Sequence, residues 1–361
     1  MYSTVSAIIV LGVLIFVHEL GHFIAAKLNG VRVLVFSLGF GPRLFGFKAG
    51  ETEYVLSAVP LGGYVKMLGE SRDEDAEGEA EAEPDEDEKA VSYAFKSPWR
   101  RLAIIIAGPG ANIVFAAFVF SLVYLFGVPS LLPVVGEVNY KMPAFSAGIK
   151  PGDRIVKIDG RKIATWDELS SAVRSSGGRQ LRIGIERAGE RLQIAIVPQK
   201  IESKNMFGEP VTSYVIGVTA AGKTAIKHYQ PGRALVEGLK ETWNVAYLTV
   251  VGFIKMVERV IPAKELGGPI MIAQMAGQHA KAGILSLLYF MGIISVNLGI
   301  LNLFPIPVLD GGHLLFITLE LILGRPVSRR KIELAQQVGL CLLVSLMVFV
   351  FYNDLARIFS Q

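Results

Sequence analysis

Apolar and polar positions separate in this chain over whole segments more than over single residues. Four long runs are apolar on every side of a would-be helix: about Ser6–Lys27, Leu102–Phe126, Ile284–Phe304 and Leu334–Tyr352. Each is close to the ~20 residues a helix needs to cross hydrocarbon, so the pattern predicts four membrane-spanning helices. The third run ends at Pro305 and Pro307, which break a helix. A further stretch, Pro231–Arg259, carries Leu239, Trp243, Ala246, Tyr247, Val250, Val251 and Ile254, with its charges at the two ends. Its uncharged centre, Thr242–Ile254, is too short to span, so an interfacial helix fits better than a fifth crossing. A short helix should follow from Gly268 to about Gly283, with His279 on its surface.

Between the first two runs the period changes. Val31–Phe36 and Glu53–Leu56 are β-rich, separated by turns at Gly39–Pro42 and Lys48–Glu51, and Pro60–Tyr64 interrupts the pattern again. This predicts a small β-meander, either dipping into the membrane with its edges buried or facing a wet cavity, or forming a soluble hairpin domain. Residues 134–199 alternate as short strands around an amphipathic helix at Asp167–Ser175, with a hairpin turn at Lys157–Gly160. Tyr214–Val218 could add a strand.

Composition supports the membrane reading: 52% of residues are hydrophobic and the mean hydropathy is +0.46. The single cysteine, Cys341, excludes an intramolecular disulfide and any thiolate-built zinc site. The net charge of +4 conceals a split, because Glu70–Glu88 holds twelve acids against Arg72. That stretch reads as disordered, either a docking tail or a solvated loop. No basic stripe carries interleaved aromatics, so nucleic acid is not an expected partner. Lys27, Arg32, Arg43, Lys48, Lys66, Lys96, Arg100, Arg101, Arg325, Arg329, Arg330 and Lys331 place the loops after the first and third spans in the cytoplasm. Both termini and the region from Val128 to about Lys281 then lie outside. Met1–Thr4 carries no Lys or Arg, so the first run reads as a retained span.

The chemistry sits inside the first span, in His18-Glu19-Leu20-Gly21-His22. Ionisable groups at that depth are costly and mark function. His18 and His22 are four apart and share one helix face. H-E-x-x-H is a zinc-hydrolase pattern, with neutral imidazoles as ligands and the Glu as general base. A His ten residues after His18 would complete one soluble class, but that position is Leu28. Asp310, in Asn302-Leu303-Phe304-Pro305-Ile306-Pro307-Val308-Leu309-Asp310-Gly311-Gly312, is the candidate third ligand. Alone it would read as a helix cap; beside two histidines it reads as a ligand. His313 and Glu320 are spare candidates beyond the break, and Asn112, in Gly108-Pro109-Gly110-Ala111-Asn112, reads as a packing or interhelical hydrogen-bonding residue.

Ala144–Ile155 follows A-x-x-A-G-[IL]-x-x-G-D-x-I and resembles a PDZ domain, a module that takes extended peptides at a sheet edge. With H-E-x-x-H in the first span and N-x-x-P-x-P-x-L-D-G late in the chain, the whole resembles the site-2 protease family of intramembrane zinc metalloproteases. Within that family it is similar to the group of bacterial regulators of sigma-E. The resemblance implies Zn2+ held by His18, His22 and Asp310, with Glu19 as base. It also implies a substrate side formed by Asn302, Pro305 and Pro307 and by Gly62 and Gly63 in a membrane-entering β-region. Well-known members carry two tandem PDZ domains, whereas this chain holds one, and the acidic insert is a second departure.

The expected fold class is therefore a polytopic α-helical membrane protein with about four transmembrane helices, a membrane-associated β-region and one extracytoplasmic α+β PDZ domain. The expected layout is a first transmembrane helix over 1–30, the β-region over 31–69 and an acidic disordered cytoplasmic loop over 70–96. A second transmembrane helix follows over 97–128, then the PDZ domain over 129–201 and a linker with amphipathic membrane-associated helices over 202–282. A third transmembrane segment over 283–324 and a fourth helix over 325–361 complete it. The expected partners are single-span membrane proteins, the lipid bilayer of the bacterial inner membrane, and peptide or protein segments at the PDZ domain. The active site would face the cytoplasmic side. Such an enzyme would cleave transmembrane segments, such as those of anti-sigma factors or remnant signal peptides, after a prior extracytoplasmic cut. The alternative is a membrane-anchored PDZ adaptor without catalysis. A transporter would show internal repeats, and none is visible.

Overall fold

The structure, a computed structural model, describes residues 2–70 and 85–359. The chain opens with α1 (Tyr2–Leu28), which ends at Gly30 with positive φ, the usual helix stop. Strands β1 (Val33–Ala49) and β2 (Thr52–Met67) follow, then the short α2 (Glu86–Val91) and the long α3 (Pro98–Phe126). Next come β3 (Val128–Leu131), β4 (Val135–Val138), α4 (Pro143–Ser146), β5 (Arg154–Ile158), β6 (Arg161–Lys162), α5 (Trp166–Arg174), β7 (Leu181–Arg187) and β8 (Glu190–Ile196). Four more strands, β9 (Gln199–Lys204), β10 (Pro210–Val215), β11 (Val218–Ala220) and β12 (Thr224–Lys227), precede the helical end. That end holds α6 (Pro231–Val257), α7 (Pro269–Ala282), α8 (Ile284–Asn302), α9 (Asp310–Leu323) and α10 (Arg329–Phe359).

Four of these helices are long and apolar enough to cross a membrane: Ser3–Leu28, Pro98–Phe126, Ile284–Asn302 and Arg330–Phe359. The chain divides into two compact units. The first joins residues 1–123, 232–254 and 262–361; the second joins 124–231 and 255–261.

In the first unit, Val10 and Leu14 of α1 are buried with Ala276 of α7 and with Phe290 and Met291 of α8. Ala116 and Phe120 of α3 pack on Val296 of α8. Asp354 of α10 is buried and accepts the backbone N–H groups of Gly268, Ile270 and Met271 at 3.0, 3.0 and 3.1 Å. It thereby satisfies the free amides at the start of α7, where negative charge is favoured. Arg101 of α3 donates to Glu320 of α9 at 2.5 Å, which accounts for Glu320 as an ion-pair partner outside the histidine cluster. His279 is half-buried, hydrogen-bonded to Ser286 Oγ at 2.7 Å and stacked on Phe290, so the expected surface histidine is a packed one.

The β-region is a coiled hairpin whose strands double back. Residues 33–38 pair with 63–67 on one side and with 53–56 on the other, and 43–49 pair with 52–57. The order is therefore 63–67, 33–38, 53–57, 43–49, with 63–67 an edge. Pro60–Tyr64 does not end the strand as expected; β2 runs through it. The pairing jumps from Phe40↔Val59 to Leu38↔Gly63, and a bulge at an edge accommodates a proline that cannot donate to a ladder. Val31, Val33, Phe36, Val65 and Met67 bury against Ala26 of α1 and Ile104 of α3.

The disordered loop expected over 70–96 is overturned where the chain is described. Residues 71–84 lie outside the described residues, but 85–95 are structured. Asp85 caps α2 by accepting from Glu88 N–H at 2.7 Å, and Arg32 N–H donates to Val91 O while Tyr93 N–H donates to Leu68 O.

In the second unit β6, β5, β7 and β8 form an antiparallel sheet, in that order. Its first turn places Asp159 and Gly160 at positive φ, as a two-residue hairpin requires. Ile155, Ile158, Leu181, Ile183 and Ile185 bury one sheet face against Leu169 and Val173 of α5. Thr165 caps α5 by accepting from Glu168 N–H at 3.3 Å, while the Glu168 carboxylate accepts from Ala164 N–H at 2.8 Å. The unit runs on past residue 201: β11 pairs with β4 and β12 with β3, so residues 218–227 return to the start of the same unit. Short, half-exposed strands of this kind carry little pattern of their own.

Candidate metal centre

The centre is assembled from α1, α3, α8, α9 and the edge of the β-region. His18 and His22 lie one helical turn apart on α1, with their Nε2 atoms 3.3 Å from each other. Asp310 Oδ2 approaches those atoms at 3.1 and 3.5 Å. These three are the His, Cys, Asp or Glu side chains that converge tightly enough to hold a metal ion among the described residues. Asp310 is the first residue of α9, one past the N-cap position at Leu309, so the cap that it would suggest if read alone is not its place. It reaches the histidines because the chain between α8 and α9 folds tightly. A Cβ at Gly311 would lie 2.0 Å from Phe304 O.

The helix approach is equally dependent on small residues. A Cβ at Gly21 would meet Ala107 O at 2.3 Å, and one at Gly108 would meet His22 Nε2 at 2.2 Å. Gly108 therefore vacates the space the His22 ring occupies. The ring is oriented from its other side, since His22 Nδ1 lies 2.9 Å from Ile104 O. A carbonyl can only accept, so Nδ1 carries the proton and Nε2 keeps its lone pair toward the cluster.

Donor chemistry is the test of fit for a zinc ion. Two neutral imidazole nitrogens and one carboxylate oxygen point their lone pairs at one another, and Asp310 Oδ2 is buried without a hydrogen-bond donor. Three converging lone-pair atoms repel unless a cation lies among them. Two His and one carboxylate, with a position left open, form a recurrent catalytic zinc set. The residues fit the ion.

Glu19 is buried and lines, with His18, His22, Gly63, Tyr64, Val65, Met67, Glu70, Ile105, Asp310 and His313, a cavity of about 190 Å³. Gly63 presses on this acid: a Cβ there would lie 2.9 Å from Glu19 Cγ. Asn302 Nδ2 lies 3.4 Å from His18 Nε2. Gly62 sits beside Gly63 at positive φ, with Phe40 filling the space where a Cβ would stand. Pro307 lies at the turn under Gly312 and is not among the residues lining the cavity; neither is Pro305. Sequence reasoning missed the importance of Asn112. It is fully buried, and its Nδ2 lies 3.2 Å from His18 Nδ1.

The second unit has its own cavity of about 560 Å³, between α5 and the segment ending in β11. Trp166, Leu169 and Val173 line one side and Ile216–Thr219 the other.

A family model described as Peptidase family M50 matches residues 6–346. A protein of Agrobacterium fabrum provisionally named a zinc metalloprotease is 38% identical, over 97% of this chain and 95% of its own. The regulator of sigma-E protease of Salmonella typhimurium is 34% identical over 99% of each chain. That alignment runs over 459 positions against this chain's 361 residues, so the relative carries a long stretch without counterpart here. Among solved structures, the PDZ domain of the SdrC-like protein of Listeria monocytogenes is 24% identical over 24% of this chain and 84% of its own, with a TM-score of 0.19.

Proposed function

This chain belongs to peptidase family M50 and is a zinc metalloprotease, and from that premise we propose that it cuts peptide bonds within membrane-spanning segments of single-span proteins. The convergence of His18, His22 and Asp310 at the level of the apolar helices is the observation that carries this reading. His18 and His22 supply imidazole nitrogens and Asp310 a carboxylate oxygen to the ion. Zinc held there supplies Lewis acidity toward a water and a peptide carbonyl. Glu19, in the same cavity, takes the proton of the attacking water and passes it to the leaving nitrogen.

A helical substrate cannot present its carbonyl, because its backbone groups are already bonded. The edge formed by residues 63–67 offers an alternative partner, with Gly63 lying against Glu19. Strand addition there, together with the Asn302 amide, would hold an unwound segment across the centre; Gly62 and Gly63 let it approach closely. Pro305 and Pro307 act on this reading by shaping the turn that delivers Asp310. Phe40, Leu44, Phe45, Phe47, Leu56 and Val59 are exposed, which suits a β-region entering lipid.

The second unit acts as the extracytoplasmic PDZ domain, with the groove of α5 and Ile216–Thr219 as its peptide site. It would admit substrates whose outer domain has been removed by a prior cut. The Lys and Arg distribution supports an inner-membrane protein with both termini outside and the centre toward the cytoplasm. The test is Glu19→Gln with a tagged single-span substrate in liposomes. Cleavage should vanish while bound zinc persists; undiminished cleavage overturns the assignment. Membership of a peptidase family sets aside the adaptor reading.

A further inference from the structure

We propose that Asn112 is a positioning residue that fixes the tautomer of His18, by accepting a hydrogen bond from its Nδ1–H through the side-chain carbonyl. The inference rests on the reading of His18 as a zinc ligand. His18 and His22 direct Nε2 into the cluster, so each must carry its proton on Nδ1 and each needs an acceptor behind it. His22 has Ile104 O. Among the described residues, the Asn112 amide stands behind His18, with Nδ2 at 3.2 Å and Oδ1 buried without a partner. In that orientation a donor faces a donor, and an acceptor faces nothing. Turning the amide over replaces the donor–donor encounter with an acceptor on His18 Nδ1–H, since its two ends have the same size and only hydrogen-bond chemistry distinguishes them. The turned Oδ1 accepts from His18 Nδ1–H and leaves Nε2 with a free lone pair.

The backbone around Asn112 is built to hold it there. Ser295 Oγ, fully buried on α8, donates to Asn112 O at 2.8 Å. A Cβ at Gly299, one turn further along α8, would meet Pro109 O at 3.0 Å, so α3 and α8 are in close contact at this level. Gly21 brings α1 against Ala107 and Ala111. Asn112 is thus clamped between the helix that bears His18 and the helix that ends at Asn302. An isolated buried amide in an apolar helix is costly unless it is paired, and the His18 ring is the polar partner its side chain faces.

The experiment measures the zinc dissociation constant of the full-length protein in detergent, by competition with a chelator, for Asn112→Asp and Asn112→Leu. Asp can only accept, as the proposal requires; Leu can do neither. Asn112→Asp should bind zinc within threefold of the parent, and Asn112→Leu ten- to a hundredfold more weakly. Nitrogen-15 spectra of histidine-labelled protein should show a protonated Nδ1 on His18 in the parent and in Asn112→Asp. The proposal is overturned if Asn112→Leu binds within threefold of the parent, or if Asn112→Asp is as weak as Asn112→Leu. If Asn112→Leu does not elute as a single species, Asn112→Ala replaces it under the same criteria. Retained zinc in His22→Ala and Asp310→Ala would instead sink the metal site itself, which keeps the two failures distinct.

Discussion

Two aspartates, one in each unit, are withdrawn from water in opposite ways. Asp153 is 1% exposed, and its carboxylate is fully engaged. Arg187 donates to it twice, from Nε and Nη2 at 2.7 Å each, and Lys150 N–H donates at 2.8 Å. Burial by itself would raise this carboxyl; the Arg187 fork and the Lys150 amide outweigh it and hold it below its usual range. Asp310 lacks such a cage, for its Oδ2 meets two imidazole nitrogens and no donor. A buried carboxylate that is fully bonded belongs to the framework. One that is buried and left open is built to receive something from outside the chain. The difference lies in the neighbours, since the residue type is shared and the Oδ2 atom of the half-buried Asp310 is itself out of water.

The comparison breaks most sharply at Asp310. Asp310→Ala should bind no zinc by metal analysis and lose at least a thousandfold in cleavage rate, about 4 kcal/mol of barrier, while its melting temperature without metal stays close to that of the parent. A large loss of metal-free stability would place Asp310 with Asp153 as a framework residue. Next in size is Gly108→Ala. The added methyl would occupy the His22 ring position and displace that ligand, so cleavage should drop about a hundredfold, as misplaced catalytic groups do. Unchanged turnover would mean that the centre tolerates the shift.

Asp153→Ala should show the converse phenotype. The second unit should lose roughly 2 kcal/mol, the scale of hydrogen bonds to a charged group, because Arg187 can turn to water. Zinc content should be unchanged, and hydrogen exchange along β5 and β7 reads the loss. Because the folded Asp153 carboxyl lies below its ordinary range, its contribution is present above about pH 4. It disappears as the pH falls through the folded value. The gap between parent and variant should therefore close in acid; a gap that widens there refutes the pairing. The smallest effect is Thr165→Ala, which removes the α5 cap at about 1 kcal/mol and should leave the metal centre untouched.

The cluster of His18, His22 and Asp310 was legible in the sequence because its signals are local and chemically loud. Two histidines at helical spacing inside an apolar run, and an aspartate beside two glycines, each violate the cost of burying charge. Asn112 gave a weaker signal: a lone amide in an apolar helix reads equally as packing, and its partner lies on another helix. The sheet order of the β-region was illegible for another reason. Residues 33–38 pair on both sides, and periodicity within one strand says nothing of which neighbours it takes. The end of the second unit was missed because β11 and β12 are short, half-exposed strands whose pairing partners lie far back in the chain.

The edge at residues 63–67 carries a consequence for selectivity. A ladder of main-chain amides and carbonyls reads no letters, because every residue except proline presents the same two groups. An enzyme that grips its target by such a ladder would be indifferent to most of the target's composition. Discrimination would then have to come from how readily a helix melts, and from what is allowed to come near, more than from a consensus around the cut.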